Sequence, residues 1–207
     1  MGTPSTKERI RARRRQERVR GYLIWGGLAA VAVLGIGGVV LRARQQAGGE
    51  QVPIPEVEPV PTAESFSHVP EGTDPGAYNS DPPTSGHHYP TPVYAGFYDE
   101  EQAADFNPFP AGYLVHSLEH GYVIFWYDCA ELQSGNCEDL KADIQRVMRR
   151  VGDYKVIGFP WPSIDVPVVM TSWGRLLRFE QFDPALAEAF VRNNRENPDL
   201  APEIRAP

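Results

Sequence analysis

The sequence predicts an α+β domain that follows a transmembrane helix and a proline-rich stalk. Residues 21–41 are apolar and uncharged, residues 42–65 contain repeated proline and glutamate, and residues 66–207 combine apolar strand-like runs with amphipathic helical patterns. Short strands interspersed with helices are typical of a small sheet with helices packed on it. We therefore expect residues 66–207 to form a small mixed β-sheet domain with two packed helices.

The membrane prediction rests on the first 41 residues. Residues 7–20 carry eight Lys or Arg against two Glu, and residues 21–41 carry no charge. A 21-residue helix is about 30 Å long, which matches the hydrocarbon core of a bilayer. Because basic flanks stay in the cytoplasm, we expect residues 1–20 to be a cytoplasmic basic segment and residues 21–41 a signal anchor in the lipid bilayer.

This topology makes the rest of the chain extracytoplasmic and the protein a single-pass membrane protein. A cleavable signal peptide is the alternative, but its apolar region usually has only about 7–15 residues. Residues 42–65 have the composition of an extended linker, because alternating proline and glutamate cannot bury a core. The globular domain is expected to span residues 66–207.

The charge of the extracytoplasmic part excludes one class of partner. Residues 47–207 hold ten basic and twenty-five acidic residues, a net charge of −15 with His neutral. Such a surface repels nucleic acid and attracts cations. We expect no nucleic-acid partner, and a protein of the cell envelope is the macromolecular partner that the location allows.

The elements of the domain follow from local patterns. Residues 69–92 are rich in turn-forming residues and predict a loop. The apolar spacing in residues 138–151 predicts an amphipathic helix, and Asp183 followed by Pro184 predicts the start of a final helix. β-branched and aromatic runs predict strands at residues 122–127, 154–159, 167–173 and 175–180. The hairpin followed by a helix resembles the second half of a thioredoxin-like α/β domain, which is the alternative fold.

Two cysteines lie in the short segment after the first predicted strand. Cys129 and Cys137 are too far apart for a Cys-x-x-Cys redox pair. Because disulfides persist outside the cytoplasm, we predict a disulfide bond between them.

The segment "HSLEH" contains the residues with the clearest potential for chemistry. In a helix, His116 and His120 lie one turn apart on the same face, so both imidazoles can reach one ion. His88, on the proline-rich loop, is the expected third ligand, and Glu119 is a candidate fourth ligand or a group that orients an imidazole. The sequence therefore predicts a transition metal ion as cofactor, with copper slightly favoured over zinc.

Two further residues are lower-ranked metal candidates. His87 is adjacent to His88, and Met170 has a thioether that would favour Cu(I). Core packing is the competing interpretation of Met170. His68 is expected to be exposed to solvent and is not among the candidates.

Two other functions are compatible with the sequence. The domain can be a non-catalytic interaction module of the cell envelope, with the histidines stabilising the proline-rich loop. It can also be a metal-dependent hydrolase, because His-x-x-Glu-His is the signature of the inverzincin peptidases, with Glu119 as the general base. Only about ninety residues follow His120 to build a substrate cleft, so an enzymatic function is not favoured.

Four sequence blocks carry a resemblance to a known family. They are, in order, "NSDPPTSGHHYP", "AGFYDE", "LVHSLEHGYVIFWYD" and "TSWGRLLRFEQFD". Over about residues 66–200 the chain resembles the bacterial domain of unknown function 3105. The family pattern has Ser-Gly-Pro-His-Tyr, so His88 matches the family histidine and His87 departs from it. The resemblance implies a membrane-anchored or secreted protein with one extracytoplasmic domain, and it implies no activity.

Overall fold

The structure, a computed structural model, describes residues 57–64 and 66–204. The predicted cytoplasmic segment, the predicted membrane span at residues 21–41 and the first part of the predicted linker lie outside these ranges. Within them, no helix combines the length and the apolar character needed to cross a membrane.

A mixed sheet is the centre of the described domain. Its strands are β1 (Glu58–Pro59), β2 (Gly96–Phe97), β3 (Val123–Tyr127), β4 (Val156–Pro160), β5 (Val168–Ser172) and β6 (Arg175–Phe179). The strand order in this part of the chain is β1-β6-β5-β3-β4-β2. Strands β3 and β4 are parallel, whereas β5 pairs antiparallel with both β3 and β6.

The helices cover both faces of the sheet. They are α1 (Glu100–Ala103), α2 (Pro110–Glu119), α3 (Cys137–Val151) and α4 (Pro184–Asn194). Helices α3 and α4 pack on the face that carries Phe125, and α2 packs on the face that carries Trp126. This division follows from the period of two in a strand, since successive side chains of β3 point to opposite faces.

The predicted α+β fold with a mixed sheet is confirmed. Each of the four predicted strands overlaps an observed strand, and the two predicted helices correspond to α3 and α4. Asp183 caps α4 by accepting hydrogen bonds from the backbone of Ala185 and Leu186. The hairpin β5-β6 followed by α4, on which the thioredoxin-like alternative was based, is present in the structure. The predicted disulfide bond between Cys129 and Cys137 is also present.

Helix α2 is the main element that the sequence patterns did not predict. Eight of its ten residues are buried, so the helix has no polar face and lacks the periodic alternation that identifies a surface helix. The short strands β1 and β2 were also not predicted. Strand β1 lies inside the predicted linker, where Glu58 and Pro59 pair with Leu176 and Arg175 of β6.

Candidate metal centre

The end of helix α2 sets the position of the His-x-x-Glu-His motif. The helix ends at Glu119, His120 is its C-cap, and Gly121 follows with a φ of 80°. The amide of Gly121 donates to the carbonyl of Leu118, and the amide of Tyr122 donates to that of Ser117. These two bonds form a Schellman motif, which requires the left-handed conformation that glycine adopts without strain. The motif therefore sits on the last turn of a buried helix, directly before β3.

The two histidines of the motif face each other, as their spacing predicts. The Nε2 atoms of His116 and His120 are 3.0 Å apart. Both side chains are buried, with 4% and 6% of the residue surface exposed. Burial of two imidazoles at this distance places two nitrogen donors within reach of one ion.

The proline-rich loop delivers His88 to the same region. Tyr89, the next residue, is held against α2 because its amide donates to the carbonyl of Gly112 at 2.9 Å. The hydroxyl of Tyr89 donates to the carbonyl of Thr73 at 2.6 Å. These two bonds fix Tyr89, and with it the adjacent His88, in place. The ring centroids of His88 and His116 lie 5.2 Å apart.

Backbone carbonyls determine which nitrogen of two histidines carries a proton. The Nδ1 atom of His88 lies 2.9 Å from the carbonyl of Gly86, and the Nδ1 atom of His116 is bonded to the carbonyl of Tyr89. A carbonyl only accepts hydrogen bonds, so both Nδ1 atoms must be donors. In the neutral imidazoles the lone pair is then on Nε2. Metal-binding histidines commonly have this arrangement, in which the second nitrogen donates to a carbonyl.

Glu119 lies against the free end of His88. Its Oε2 atom is 2.9 Å from the Nε2 atom of His88, and both residues are at least nine-tenths buried. Despite this distance, neither atom completes an aligned hydrogen bond with any residue of the described part of the chain. We therefore regard the pair as a close ionic contact. A carboxylate oxygen facing an imidazole lone pair repels it unless a proton or another cation lies between them.

The ionisation of these groups follows from burial and mutual contact. Burial lowers the pKa of His88, but Glu119 and the carbonyl of Gly86 raise it by more, so the net shift is upward. Burial raises the pKa of Glu119, but the contact with His88 and the neighbouring histidines lower it by more. Burial lowers the pKa of His116, and the neighbouring histidines lower it further. The hydrogen bond to the carbonyl of Tyr89 raises this pKa by less, so the net shift is downward. His116 is therefore biased toward the neutral form that binds metals.

His68 joins these residues, although the sequence did not place it among the candidates. Its ring stacks on that of His116, with centroids 5.0 Å apart and planes 22° apart, and it meets the ring of His88 edge-on at 4.9 Å. His68 is exposed to solvent, as predicted. Its place in the site could not be predicted from local sequence patterns, because it depends on a parallel β-bridge between residues 68 and 88. We refer to His68, His88, His116, Glu119 and His120 as the histidine cluster.

The histidine cluster contains two overlapping sets of potential ligands. His68, His88 and His116 form the first, and His116, Glu119 and His120 form the second. Within each set, one donor atom per residue lies within 4.8 Å of the others. Ligands of a tetrahedral ion at about 2.0–2.1 Å are about 3.3 Å apart, so small side-chain movements suffice to close either set around an ion.

The remaining candidates from the sequence lie elsewhere. His87 is half-buried, and its Nδ1 atom is 3.0 Å from the hydroxyl of Ser67. Met170 is fully buried among the apolar side chains between the sheet and helices α3 and α4. The structure therefore brings together His88, His116, Glu119 and His120 but includes neither His87 nor Met170 in the histidine cluster.

The C-terminal segment packs beside the second set. The amide of Glu203 donates to the carbonyl of Glu119 at 3.1 Å. The Oε2 atom of Glu203 is 3.7 Å from the Nε2 atom of His120. The ammonium of Lys155 donates to the carbonyl of His120 at 3.0 Å. These contacts hold the C-terminal segment beside Glu119 and His120.

Comparisons with known proteins identify the family but no activity. A family model described as a protein of unknown function, DUF3105, matches residues 68–207. The chain has no significant match to a curated protein or to a solved structure. The matched residues include every member of the histidine cluster, and they make up more than half of the chain. The protein therefore belongs to the DUF3105 family.

Proposed function

We propose that this domain binds a divalent transition metal ion in the histidine cluster, on the outer side of the membrane to which residues 21–41 tether it. The observation that carries the proposal is the pair of facing donors, His116 and His120, whose Nε2 atoms are 3.0 Å apart. Next to them, the Nε2 atom of His88 and the Oε2 atom of Glu119 lie buried 2.9 Å from each other without an aligned hydrogen bond among the described residues. A cation held by either ligand set would add a partner for one of these two atoms.

The chemistry of the donors favours copper or zinc. Imidazole and carboxylate groups suit Cu²⁺ and Zn²⁺, and the general order of affinities puts Cu²⁺ ahead of Zn²⁺. The position of Met170 in the apolar core removes the thioether argument for Cu(I). The ion would be held by His116 together with Glu119 and His120, or with His88 from the loop.

Metal analysis of the purified full chain tests the proposal. After loading with Cu²⁺ or Zn²⁺ and removal of free metal, we expect one ion per chain. His116→Ala removes the residue common to both ligand sets and should abolish binding. The matched control is His87→Ala, which removes a neighbouring histidine outside the cluster and should leave the metal content unchanged. Equal metal content in wild type and His116→Ala would refute the proposal.

Thermal unfolding gives a second measurement that does not depend on one variant. An ion that binds only the folded state at 100 times its dissociation constant stabilises it by about 2.7 kcal/mol. We therefore expect the melting temperature to rise with metal and to fall back with a chelator. Variants that leave His116 in place show which set holds the ion, because His88→Ala should reduce the rise for the first set and His120→Ala for the second. The interaction module remains the competing prediction, and it requires a melting temperature that does not respond to metal.

A further inference from the structure

The short segment before the proline-rich loop, residues 66–69, is held to the domain next to the histidine cluster. We call it the strap. The amide of Val69 donates to the carbonyl of His88 at 2.8 Å, and the amide of His88 donates to the carbonyl of Ser67 at 3.2 Å. The ring of Phe66 meets that of Trp173 edge-on at 5.2 Å but stays 41% exposed. Because residues 66–68 are exposed, we expect this segment to open more easily than the buried core.

The strap carries one member of the histidine cluster. His68 is exposed, whereas His88 and His116 are buried. All three offer a ring nitrogen within 4.8 Å of the others. The parallel β-bridge between residues 68 and 88 fixes the register that puts the His68 ring beside the other two. In this first ligand set, the side open to solvent is therefore the side of His68.

We infer that His68 is the outermost ligand of the metal centre, and that an ion bound by His68, His88 and His116 fastens the strap to the domain. This inference rests on the proposed function. A metal–imidazole bond from the strap adds a constraint that its two backbone hydrogen bonds do not provide. The opening of the strap would then require loss of that bond as well.

Amide hydrogen exchange of the full chain, with and without Zn²⁺, tests this inference. The amides of Val69 and His88 bond across the bridge and report its opening directly. In wild type we expect Zn²⁺ to slow their exchange by at least about tenfold, which corresponds to about 1.4 kcal/mol. In His68→Ala we expect the same amides to exchange equally fast with and without Zn²⁺, while the ion remains bound to the buried residues of the cluster.

The controls separate this inference from the proposed function. His87→Ala also alters a histidine that contacts the strap, through Ser67, and it should keep the full slowing by Zn²⁺. His68→Gln keeps a side chain of similar size and replaces His68→Ala if the latter does not fold. Equal slowing in wild type and the His68 variants would overturn the role of His68. Zn²⁺ binding to wild type without slowing would overturn the inference alone, whereas no binding to wild type would overturn the proposed function as well.

Discussion

The close contact between Gly112 and Tyr89 leads to a prediction whose sign the sequence alone would give wrongly. Gly112 lies inside helix α2, where alanine is favoured over glycine by about 1 kcal/mol. A Cβ atom at this position would, however, lie 2.5, 2.7 and 2.8 Å from the Cε2, Cδ2 and Cζ atoms of Tyr89. We therefore expect Gly112→Ala to destabilise the domain.

The magnitude follows from how firmly the tyrosine is held. Tyr89 is fully buried, and its hydroxyl and amide both donate hydrogen bonds. Adding a methyl group to a filled core costs about 1–3 kcal/mol, and displacing the hydroxyl would lose a bond worth about 1 kcal/mol. After the gain in helix propensity, the net loss in the free energy of unfolding should be about 1–3 kcal/mol.

Denaturation in guanidinium chloride measures this loss as a lower midpoint at constant slope. The control is the same substitution in a Tyr89→Ala background, where the ring is absent and Gly112→Ala should become neutral or stabilising. A higher midpoint for Gly112→Ala in the wild-type background would refute the reasoning, and so would an equal loss in both backgrounds. Because the carbonyl of Tyr89 accepts from His116, the single variant should also bind metal more weakly.

Three further predictions concern residues outside the ligand sets. Ser117→Ala should lower the free energy of unfolding by about 2–4 kcal/mol, because the buried hydroxyl bonds both the amide and the carbonyl of Val93; a loss below about 0.5 kcal/mol in urea denaturation would contradict this. The Cys129–Cys137 disulfide closes a loop with a sequence separation of 8, so its reduction should lower the free energy of unfolding by about 2–3 kcal/mol. Denaturation with and without reductant measures this loss. The Cys129→Ser variant should show no response to reductant. Burial raises the pKa of Glu196, but Lys155 and Tyr154 lower it by more. The ionised side chain therefore stabilises the fold above the usual glutamate pKa, and this stabilisation is lost as the pH falls through the lower pKa of the folded state. Since this side chain is 39% exposed, its contribution to the free energy of unfolding should be less than about 1 kcal/mol. Glu196→Gln should make the melting temperature depend less steeply on pH in the acidic range. An unchanged acidic slope in this variant would contradict the assignment.

The regular part of the fold could be predicted because its patterns are local. The amphipathic spacing of α3 and the aspartate cap of α4 are visible in a short window, and the aromatic run of β3 identifies a buried strand. Helix α2 could not be recognised in this way, since a helix that is buried on nearly all sides has no polar stripe. The information that makes it a helix lies in tertiary packing, which a single sequence does not display.

Part of the candidate site could likewise be predicted from local sequence patterns. The facing of His116 and His120 follows from helical spacing, and the approach of His88 was predicted from the turn-rich loop. His68 was not ranked as a ligand because its place depends on a bridge between residues twenty positions apart. The loop around Ser85 and His88, although irregular, is buried, so its composition alone did not reveal that it packs as tightly as a core element.

The pairing of β1 with β6 has a practical consequence for work on the isolated domain. Strand β1 covers the outer side of β6 with only two residues, and the amide of Val60 extends this cover by donating to the carbonyl of Gly174. Uncovered strand edges are templates for association between molecules. A fragment that starts at residue 66 would expose the backbone of β6 and invite self-association, whereas a fragment that starts before Val57 keeps the natural guard of that edge.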